Sequence, residues 1–482
     1  MDKRVIALAL GLAAALTLAV VATAKGPGGG SFANFELGPT GSTCPGSSSC
    51  WNFAAEPAIR ADGAGRFFAS SENGLGGGTD AWRSTDNGLH YTGLASPNAV
   101  SGTDQTGFAP GGGDTDLAVA PEKNAAGLYN VYVASLSLAN VDVSTSTDGG
   151  NTWKLNPVTT PETLDDREWI AADGAAKVCI SYHDAPQGIT VGCSQDAGTT
   201  FTQFSSAIDA AHAWQISNNS IGNLAIDPAS HIVYQTYSSI ASAAEAPVGE
   251  VTAPYHSVWM AVSTNGGLTF TDYPVYVNPD ANVTYGHQFV NVSVDRAGNV
   301  YSVYTDNHNV SYSFSTDHGK TWHGPYQISK GGTALFPWST AGDAGKVDVV
   351  YYKTPYSSSS TTPDNYPMSA AWTVGFAQNS SATTPGSSWS EQTASPIVHY
   401  GGVCESGVAC TGNRDLYDDF GVAVSPTTGL ASIVYSDDQY TSDANDPPQP
   451  GCTQASSNTG RCDHTSVATQ TSGTGIYSTR KH

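Results

Sequence analysis

The stretch Ser146-Thr147-Asp148-Gly149-Gly150-Asn151-Thr152-Trp153 decides the fold, because the chain repeats its form at intervals. The shared form is Ser-x-Asp-x-Gly-x-x-aromatic, with Asn in place of Asp in one copy. The other copies occupy residues 84–91, 194–201, 263–270 and 315–322. An Asp or Asn side chain accepts hydrogen bonds from turn amides, and Gly supplies the positive φ that such a turn needs. We therefore predict five turns that each pin a hairpin through the aromatic residue, and we assign them no catalytic role.

A second phrase recurs along the chain: an apolar strand, a turn of Gly, Asp or Pro, and a strand rich in Tyr, Val and Phe. Its seven copies begin at Pro57, Asp116, Glu168, Asn223, Val290, Pro337 and Phe420. Short β-branched and aromatic runs with a period of about 60 residues indicate four-stranded units arranged as a propeller. We predict an all-β propeller of four-stranded antiparallel blades, with seven blades favoured over six. Ser31 to Leu37 are predicted to pair with the last blade and close the ring.

The N-terminal segment has the layout of a secretion signal. Lys3 and Arg4 precede an uncharged apolar run, which ends at the small residues Ala22-Thr23-Ala24. An uncleaved membrane anchor is the alternative, because the run is about long enough to span a bilayer. We predict a signal peptide at residues 1–24, a flexible leader at 25–30 and a single propeller domain at 31–482. The predicted protein is secreted and monomeric.

The eight cysteines fall into four pairs that are close in sequence: Cys44/Cys50, Cys179/Cys193, Cys404/Cys410 and Cys452/Cys462. Short loops cost the least entropy to close, so we predict a disulfide bond within each pair. Zinc ligation is the rival interpretation, and the lack of any Cys-x-x-Cys motif or interleaved His argues against it. Disulfide bonds agree with export to an oxidising compartment.

The chain is acidic, with 42 Asp and Glu against 19 Lys and Arg and a formal charge of −23. Such a surface repels phosphate backbones and anionic lipids, so we expect neither a nucleic-acid partner nor binding to a membrane surface. The partner that we expect is an extracellular glycan or glycoprotein.

An alignment of the seven second phrases on their turns identifies the residues that start each inner strand. Two residues before the turn the side chains are small except at Arg60, as convergence on a central axis requires. Four and six residues before it, polar and aromatic residues collect at one mouth of the channel. Including the neighbouring Glu168, the residues that we predict to bind a ligand are Glu56, Asp114, Asp116, Glu168, Trp169, Asn223, Asn291, Trp338 and Asp419.

Two other roles are open to these residues. Strand starts are rich in Asp and Asn in any β-protein, and Trp often fills space between blades, so the whole set can be structural. Alternatively, Asp114 and Asp116, with Asp418 and Asp419 across the ring, offer the oxygen ligands that calcium prefers. We predict no obligatory cofactor and keep calcium as an alternative.

The repeated first phrase is the Asp box, and on a propeller it resembles the sialidases and the wider BNR-repeat superfamily over most of the mature chain. The resemblance implies three arginines that hold a substrate carboxylate, an Asp acid/base and a Tyr nucleophile activated by a Glu. Where that family starts its first blade with Arg-Ile-Pro, this chain has Ala55-Glu56-Pro57. The remaining candidates for the arginine clamp are Arg167, Arg414 and Arg461, with Arg60 deeper in the channel.

Two local phrases place an Arg among carboxylates at the start of an inner strand. They are Asp165-Asp166-Arg167-Glu168-Trp169 and Asn413-Arg414-Asp415-Leu416-Tyr417-Asp418-Asp419. As a catalytic site, they supply Asp166 as acid/base, Arg167 and Arg414 as a clamp, and Tyr417 as nucleophile. As structural features, they are salt bridges between blades that close the ring.

These observations support two main functional hypotheses. The first is a secreted, sialidase-like protein that acts on glycans as an exo-acting glycoside hydrolase, of the exo-α-sialidase kind. The second is a non-catalytic extracellular propeller that binds carbohydrate or protein, and a third is a rigid spacer in adhesion. Convergent arginines beside a Tyr–Glu pair at the mouth would favour the enzyme. A mouth plugged by Trp and Phe, with no perturbed carboxylate, would favour binding.

Overall fold

The structure is a computed structural model that describes residues 22–25, 30–74, 76–98, 111–137, 140–157, 159–161, 165–184, 188–248, 254–406, 410, 412–418, 420–439 and 462–478. The predicted signal peptide lies outside these ranges up to residue 21, as do leader residues 26–29. No helix within the described ranges is long and apolar enough to cross a membrane. The helical content of these ranges is three short 3-10 segments, at Ala210–Gln215, Ala243–Val248 and Pro363–Asn365.

The strands follow one another along the chain as hairpins. Blades 1 to 3 and the segments before them comprise β1 (Ala22–Lys25), β2 (Ser31–Glu36), β3 (Thr43–Cys44), β4 (Ala55–Ala61), β5 (Phe67–Glu72), β6 (Thr79–Ser84), β7 (Tyr91–Gly93), β8 (Thr115–Lys123), β9 (Tyr129–Leu136), β10 (Val141–Ser146), β11 (Lys154–Asn156), β12 (Asp166–Asp173), β13 (Lys177–Asp184), β14 (Gly188–Ser194) and β15 (Gln203–Ser206). Blades 4 to 7 comprise β16 (Asn219–Ile226), β17 (Val233–Ser239), β18 (Ser257–Ser263), β19 (Thr271–Val277), β20 (Asn291–Val294), β21 (Val300–Thr305), β22 (Val310–Ser315), β23 (His323–Gln327), β24 (Thr333–Ala341), β25 (Val347–Thr354), β26 (Ala371–Asn379), β27 (Ser390–Tyr400), β28 (Gly421–Val424), β29 (Ala431–Asp437) and β30 (His464–Ser472).

These strands form seven antiparallel sheets, which are the blades of a ring. The innermost strand of each blade packs beside that of the next, and β28 of blade 7 packs beside β4 of blade 1. The prediction of an all-β propeller with seven blades is confirmed. The predicted closure is present as well, because β2 pairs with β30 and places Phe35 opposite Val467. An early strand and a late strand of the chain therefore build the last blade together.

The Asp boxes close through the same hydrogen bonds in each copy. In the copy at residues 315–322, Asp317 accepts the Thr321 amide at 2.9 Å, and the Ser315 hydroxyl accepts the Gly319 amide at 2.9 Å. Gly319 has a φ of +81°. The Asn265 side chain makes the equivalent bond in the copy that lacks Asp, at 3.0 Å. The predicted turn chemistry is confirmed, and the Ser hydroxyl is a partner that the pattern did not assign.

Burial falls from the axis of the ring outwards. Every residue of the second strand Val233–Ser239 is buried, whereas His323–Gln327 on the outer edge is mostly exposed. Each inner strand packs between two neighbouring blades, so both of its faces need apolar or small side chains. The largest apolar cluster spans several blades and includes Trp169, Trp338 and Trp372.

Three of the four predicted disulfide bonds are present: Cys44–Cys50, Cys179–Cys193 and Cys404–Cys410. Cys179 and Cys193 lie directly opposite each other on β13 and β14, so this bond ties two neighbouring strands of blade 3.

Of the fourth predicted pair, Cys452 with Cys462, only Cys462 lies within the described residues. Cys462 is completely buried just before β30, and its sulfur is disulfide-bonded, as predicted. Its predicted partner, Cys452, lies outside the described residues. The participation of Cys462 in a disulfide bond is therefore confirmed, and its pairing with Cys452 stays a prediction.

The axis of the ring is a narrow channel lined by the small residues that the alignment predicted. Its wall includes Ala118, Ala171, Ala225, Ser293, Thr340 and Ala423, and the one large member of that row, Arg60. The Arg60 guanidinium bonds Asp116 at 2.9 Å and lies 5.4 Å from the ring centre of Trp338. Arg60 therefore belongs to the channel wall and leaves the mouth to other residues.

Candidate active site at the channel mouth

A bulge at the start of several inner strands shapes the mouth of the channel. The pairing register shifts near the start of the inner strand in blades 1, 3, 4 and 6. In three of these bulges a non-glycine residue takes a positive φ: Glu56 at +51°, Arg167 at +55° and Phe336 at +52°. This conformation costs about 1 kcal/mol or more per residue and tends to be kept where function or packing demands it. The bulges turn these side chains out of the regular strand alternation.

Arg167 lies at the centre of a charge cluster that joins four blades. Its guanidinium contacts Asp418 at 3.1 Å, Asp114 at 3.4 Å and Glu56 at 3.8 Å. It also lies 4.0 Å from the ring centre of Phe289. The Arg167 side chain is only 7% exposed. The predicted salt bridge between blades is present at this position.

Arg414 approaches the same carboxylates from blade 7. Its Nη2 atom lies 3.1 Å from Asp418 and 3.4 Å from Glu56, and its side chain is 30% exposed. The Arg414 guanidinium also lies 5.3 Å from the ring centre of Tyr417. Two of the predicted clamp arginines therefore converge, and each already bridges carboxylates of the protein itself.

Tyr417 has the carboxylate partner that a nucleophilic tyrosine needs. Its hydroxyl donates to Asp463 at 3.0 Å, so the acid is an Asp where the family resemblance implies a Glu. Asp463 is 4% exposed, and burial raises its pKa well above the usual range, with Asp415 and Asp438 adding to the shift. Burial also raises the pKa of Tyr417, and the neighbouring Asp463 adds to it. The phenol is therefore protonated at rest, with an acceptor for its proton in place.

These groups open onto a cleft of about 770 Å³ at the mouth. Five of the predicted residues line it: Asp114, Asp166, Arg167, Arg414 and Tyr417. Asp166 lies at the surface of the cleft, where surrounding protein atoms partly shield its carboxylate from water. This desolvation, together with the charge of Asp114, raises its pKa. The predicted acid/base, clamp and nucleophile thus share one cleft.

The cleft also contains Glu72 and His183, which the alignment missed, and Phe289, which the alignment placed at the mouth without a predicted role. Glu72 pairs with Ala55, and His183 pairs with Asp166, so both lie where the second strand of a hairpin returns to the mouth. Polar residues near the end of the second strand, in Phe67–Glu72 and Lys177–Asp184, were the sequence signal that could have found Glu72 and His183. Burial lowers the pKa of His183, which keeps its ring neutral at neutral pH.

Three predicted ligand residues lie deeper and hold the next blade. Asp116 accepts the Ile170 amide at 3.1 Å, Asn223 accepts the Val292 amide at 2.6 Å, and Asn291 accepts the Ser339 amide at 2.8 Å. Inner strands of neighbouring blades do not pair as a ladder, so these amides need side-chain partners. Asp116, Asn223 and Asn291 are buried and stand outside the cleft wall, and their role towards a ligand stays a prediction.

An aromatic stack closes the channel beneath the cleft. Trp169 lies 5.2 Å from Trp338 and 5.5 Å from Phe289, measured between ring centres. Trp169 and Trp338 are almost completely buried, so they form the floor of the cleft and no open platform. The aromatic side chains that line the cleft itself are Phe53, Phe289 and Tyr417, and Phe53 is 48% exposed.

Two buried glutamates beside this floor have perturbed acidity. Burial raises the pKa of Glu56 well above its usual range, Asp114 adds to the shift, and Arg167 opposes it. Burial and Asp114 raise the pKa of Glu168 in the same direction. Neither carboxylate oxygen of Glu168 has a hydrogen-bond partner in the described part of the chain. The mouth thus combines an aromatic floor with carboxyl groups whose pKa values are raised well above the usual range.

Three carboxylates of the calcium alternative face arginines of the chain, and calcium binding stays a prediction. The Arg167 guanidinium bridges Asp114 and Asp418, and Arg60 bonds Asp116. The chain therefore supplies its own cation between the carboxylates that were expected to share a calcium ion. Asp419 and the third clamp candidate, Arg461, lie outside the described residues.

No family model matches the sequence, and no curated protein matches it. Several solved structures are similar in fold, each at 12% sequence identity. A protein of unknown function from Dyadobacter fermentans aligns over 91% of this chain and 97% of its own, with a TM-score of 0.45. The α-L-arabinanase of Penicillium chrysogenum, complexed with arabinobiose, aligns over 90% and 97%, with a TM-score of 0.42. A sialidase from Streptococcus pneumoniae aligns over 90% of this chain and 70% of its own, with a TM-score of 0.40.

Proposed function

We propose that the protein is a glycoside hydrolase of extracellular glycans and that the mouth cleft is its active site. The observation that carries the proposal is the hydrogen bond from Tyr417 to Asp463 in a cleft that Asp166 and Arg414 also line. A phenol bonded to a carboxylate is a nucleophile with its proton acceptor in place. A second carboxyl group in the same cleft supplies the proton exchange that glycoside cleavage needs.

The roles follow from the position and acidity of each group. Tyr417 attacks the anomeric carbon while Asp463 takes the phenolic proton, and Asp166 protonates the departing glycosidic oxygen. Asp166 then removes a proton from the water that displaces the tyrosine. Burial beside Asp415 and Asp438 raises the pKa of Asp463 and so makes its carboxylate a better proton acceptor. The raised pKa of Asp166 suits a group that must both give and take a proton.

Non-catalytic glycan binding is the second candidate function. The aromatic floor of Trp169, Trp338 and Phe289 supports it, because a plugged mouth was the feature expected of a binding propeller. That expectation also required carboxylates of ordinary acidity at the mouth. The raised pKa values of Glu56, Glu168 and Asp463 favour the hydrolase.

Secretion is part of the same proposal. The three disulfide bonds among the described residues support an oxidising compartment, and the apolar N-terminal segment ending at Ala22-Thr23-Ala24 supports export. N-terminal sequencing of protein recovered from the culture medium tests this, and the predicted mature chain begins at Lys25. Retention of residues 1–24 in a membrane fraction would instead establish an anchor.

The catalytic proposal is tested with a panel of fluorogenic glycosides that includes neutral pentosides and hexosides and an α-sialoside. We expect turnover of at least one substrate, and Asp166→Asn should lower kcat by about 10²- to 10⁴-fold because the proton donor is lost. Asp173→Asn is the matched control, since Asp173 ends the same strand at the opposite side of the ring, where it bonds His231. Equal activity of wild type and Asp166→Asn would remove Asp166 from the mechanism.

A further inference from the structure

We infer that the mouth cleft selects uncharged sugars and excludes sugars that carry a carboxylate. This inference deepens the proposed function and rests on it. It runs against the expectation that two convergent arginines form a clamp for an anionic substrate.

The charges that line the cleft are predominantly negative. Glu72, Asp114 and Asp418 supply three carboxylates, and Asp166 adds a fourth when it is ionised, against the two guanidinium groups of Arg167 and Arg414. His183 does not change this balance, because burial lowers its pKa and leaves the ring neutral. A sugar carboxylate entering the cleft therefore meets a net negative wall.

Both arginines are already held by carboxylates of the protein. The Arg167 side chain is 7% exposed, and its Nε and Nη2 atoms already face Asp114 and Asp418. Arg414 is more exposed, but its Nη2 atom bridges Asp418 and Glu56. A carboxylate clamp needs pairs of N–H groups directed at the ligand. An anionic sugar would have to displace a carboxylate that the fold holds in place.

The same wall is well suited to sugar hydroxyl groups. One carboxylate oxygen from each of Glu56, Glu72 and Asp114 lies within 4.8 Å of the others. Glu72 and Asp114 line the cleft, whereas the completely buried Glu56 stands outside its wall. Carboxylates accept from hydroxyl groups, and a neutral sugar brings several such donors without adding charge. Phe289 and Tyr417 supply apolar surface beside these acceptors.

The direct test measures binding and hydrolysis of two sets of polysaccharides. The neutral set contains arabinan, xylan, galactan and β-glucan, and the anionic set contains polygalacturonate, alginate and polysialic acid. We expect at least one neutral glycan to bind or be cleaved, with every anionic glycan weaker by about tenfold or more. A preference for an anionic glycan, or for the amine-bearing glycan chitosan over all neutral ones, overturns the inference. Binding and cleavage of none of them overturns the proposed function instead.

A variant that should gain affinity for anionic glycans tests whether the carboxylates of the mouth exclude them. Asp418→Asn removes the carboxylate shared by Arg167 and Arg414, and we expect it to bind polygalacturonate at least about tenfold more tightly than wild type. Asp114→Asn is the second variant, for the case that Asp418→Asn does not fold. Asp343→Asn is the matched control, because Asp343 bonds Arg296 at 3.0 Å in a salt bridge remote from the cleft. Unchanged anion affinity in both folded mouth variants overturns the assignment of exclusion to these carboxylates.

Discussion

Removing the Arg167 guanidinium should destabilise the ring strongly. Arg167→Ala removes the cation that contacts Asp114, and it leaves the completely buried Glu56 and its neighbour Asp418 with Arg414 alone. Breaking a buried ion pair by deleting one partner costs about 3–5 kcal/mol, because the remaining charge stays uncompensated. We expect a loss of this size in the free energy of unfolding at neutral pH. The stack on Phe289 at 4.0 Å is lost as well.

Urea unfolding followed by tryptophan fluorescence measures this loss, and Arg296→Ala is the matched control. Arg296 also bonds a carboxylate, Asp343 at 3.0 Å, and also lies on an aromatic ring, Tyr477 at 4.2 Å. Its side chain is 49% exposed, so we expect Arg296→Ala to cost about 1 kcal/mol or less. The comparison isolates the effect of burial and of shared charge.

The loss of stability caused by Arg167→Ala should depend on pH. Burial raises the pKa of Glu56 and Arg167 opposes that shift, so without Arg167 the folded-state pKa of Glu56 rises further. The added penalty is present while Glu56 is ionised and disappears as Glu56 protonates. The deficit of Arg167→Ala should therefore shrink between neutral pH and about pH 4. A deficit as small as that of Arg296→Ala, or one that does not change with pH, would refute the reasoning.

Three further predictions concern other parts of the chain. Burial raises the pKa of Asp348 to about 8. The free energy of unfolding of wild type should therefore fall as the pH rises from about 4 towards 8. Asp348→Asn should remove this dependence of stability on pH in urea titrations. Asp317→Ala should cost about 1–2 kcal/mol of unfolding free energy, because two turn amides lose their acceptor. Asp317→Asn should cost much less, since Asn265 accepts the equivalent amide in another Asp box. Equal losses for the two variants by calorimetry would count against this role of the side-chain oxygen. In the hydrolase, kcat/KM should fall as the pH drops through the raised pKa of Asp463, at a pH above the ordinary Asp value of about 4; an acid limb below that value would speak against Asp463 as the base.

The fold was predictable because its signals are local. An Asp box needs only the side chains of its own eight residues, and five boxes with seven hairpins determine the ring. The positions on the inner strands were also predictable, since aligning the turns placed Arg60 and the small residues around the axis, where they lie. Ring closure through β2 followed from the need to pair an edge strand.

The site was predictable only where its residues lie at or directly before the start of an inner strand, in the two local phrases that place an Arg among carboxylates. Asp166, Arg167, Arg414 and Tyr417 share the cleft as predicted. Asp463 was missed because its position depends on β30, a strand that carries no Asp box. The salt bridges and the clamp were treated as alternatives, although the same arginines line the cleft and join the blades. Partner choice among several nearby charges depends on distances of a few tenths of an ångström, which spacing in sequence does not encode.

The most direct test of the central claim compares glycoside hydrolysis by wild type, Tyr417→Phe and Tyr477→Phe. Tyr477 is a suitable control, since its hydroxyl bonds the Ala341 carbonyl at the far end of an inner strand. The account predicts that wild type and Tyr477→Phe hydrolyse the same neutral glycoside and that Tyr417→Phe loses turnover while still binding it. Full turnover by Tyr417→Phe, or no hydrolysis of any glycoside by folded wild type, would contradict the account.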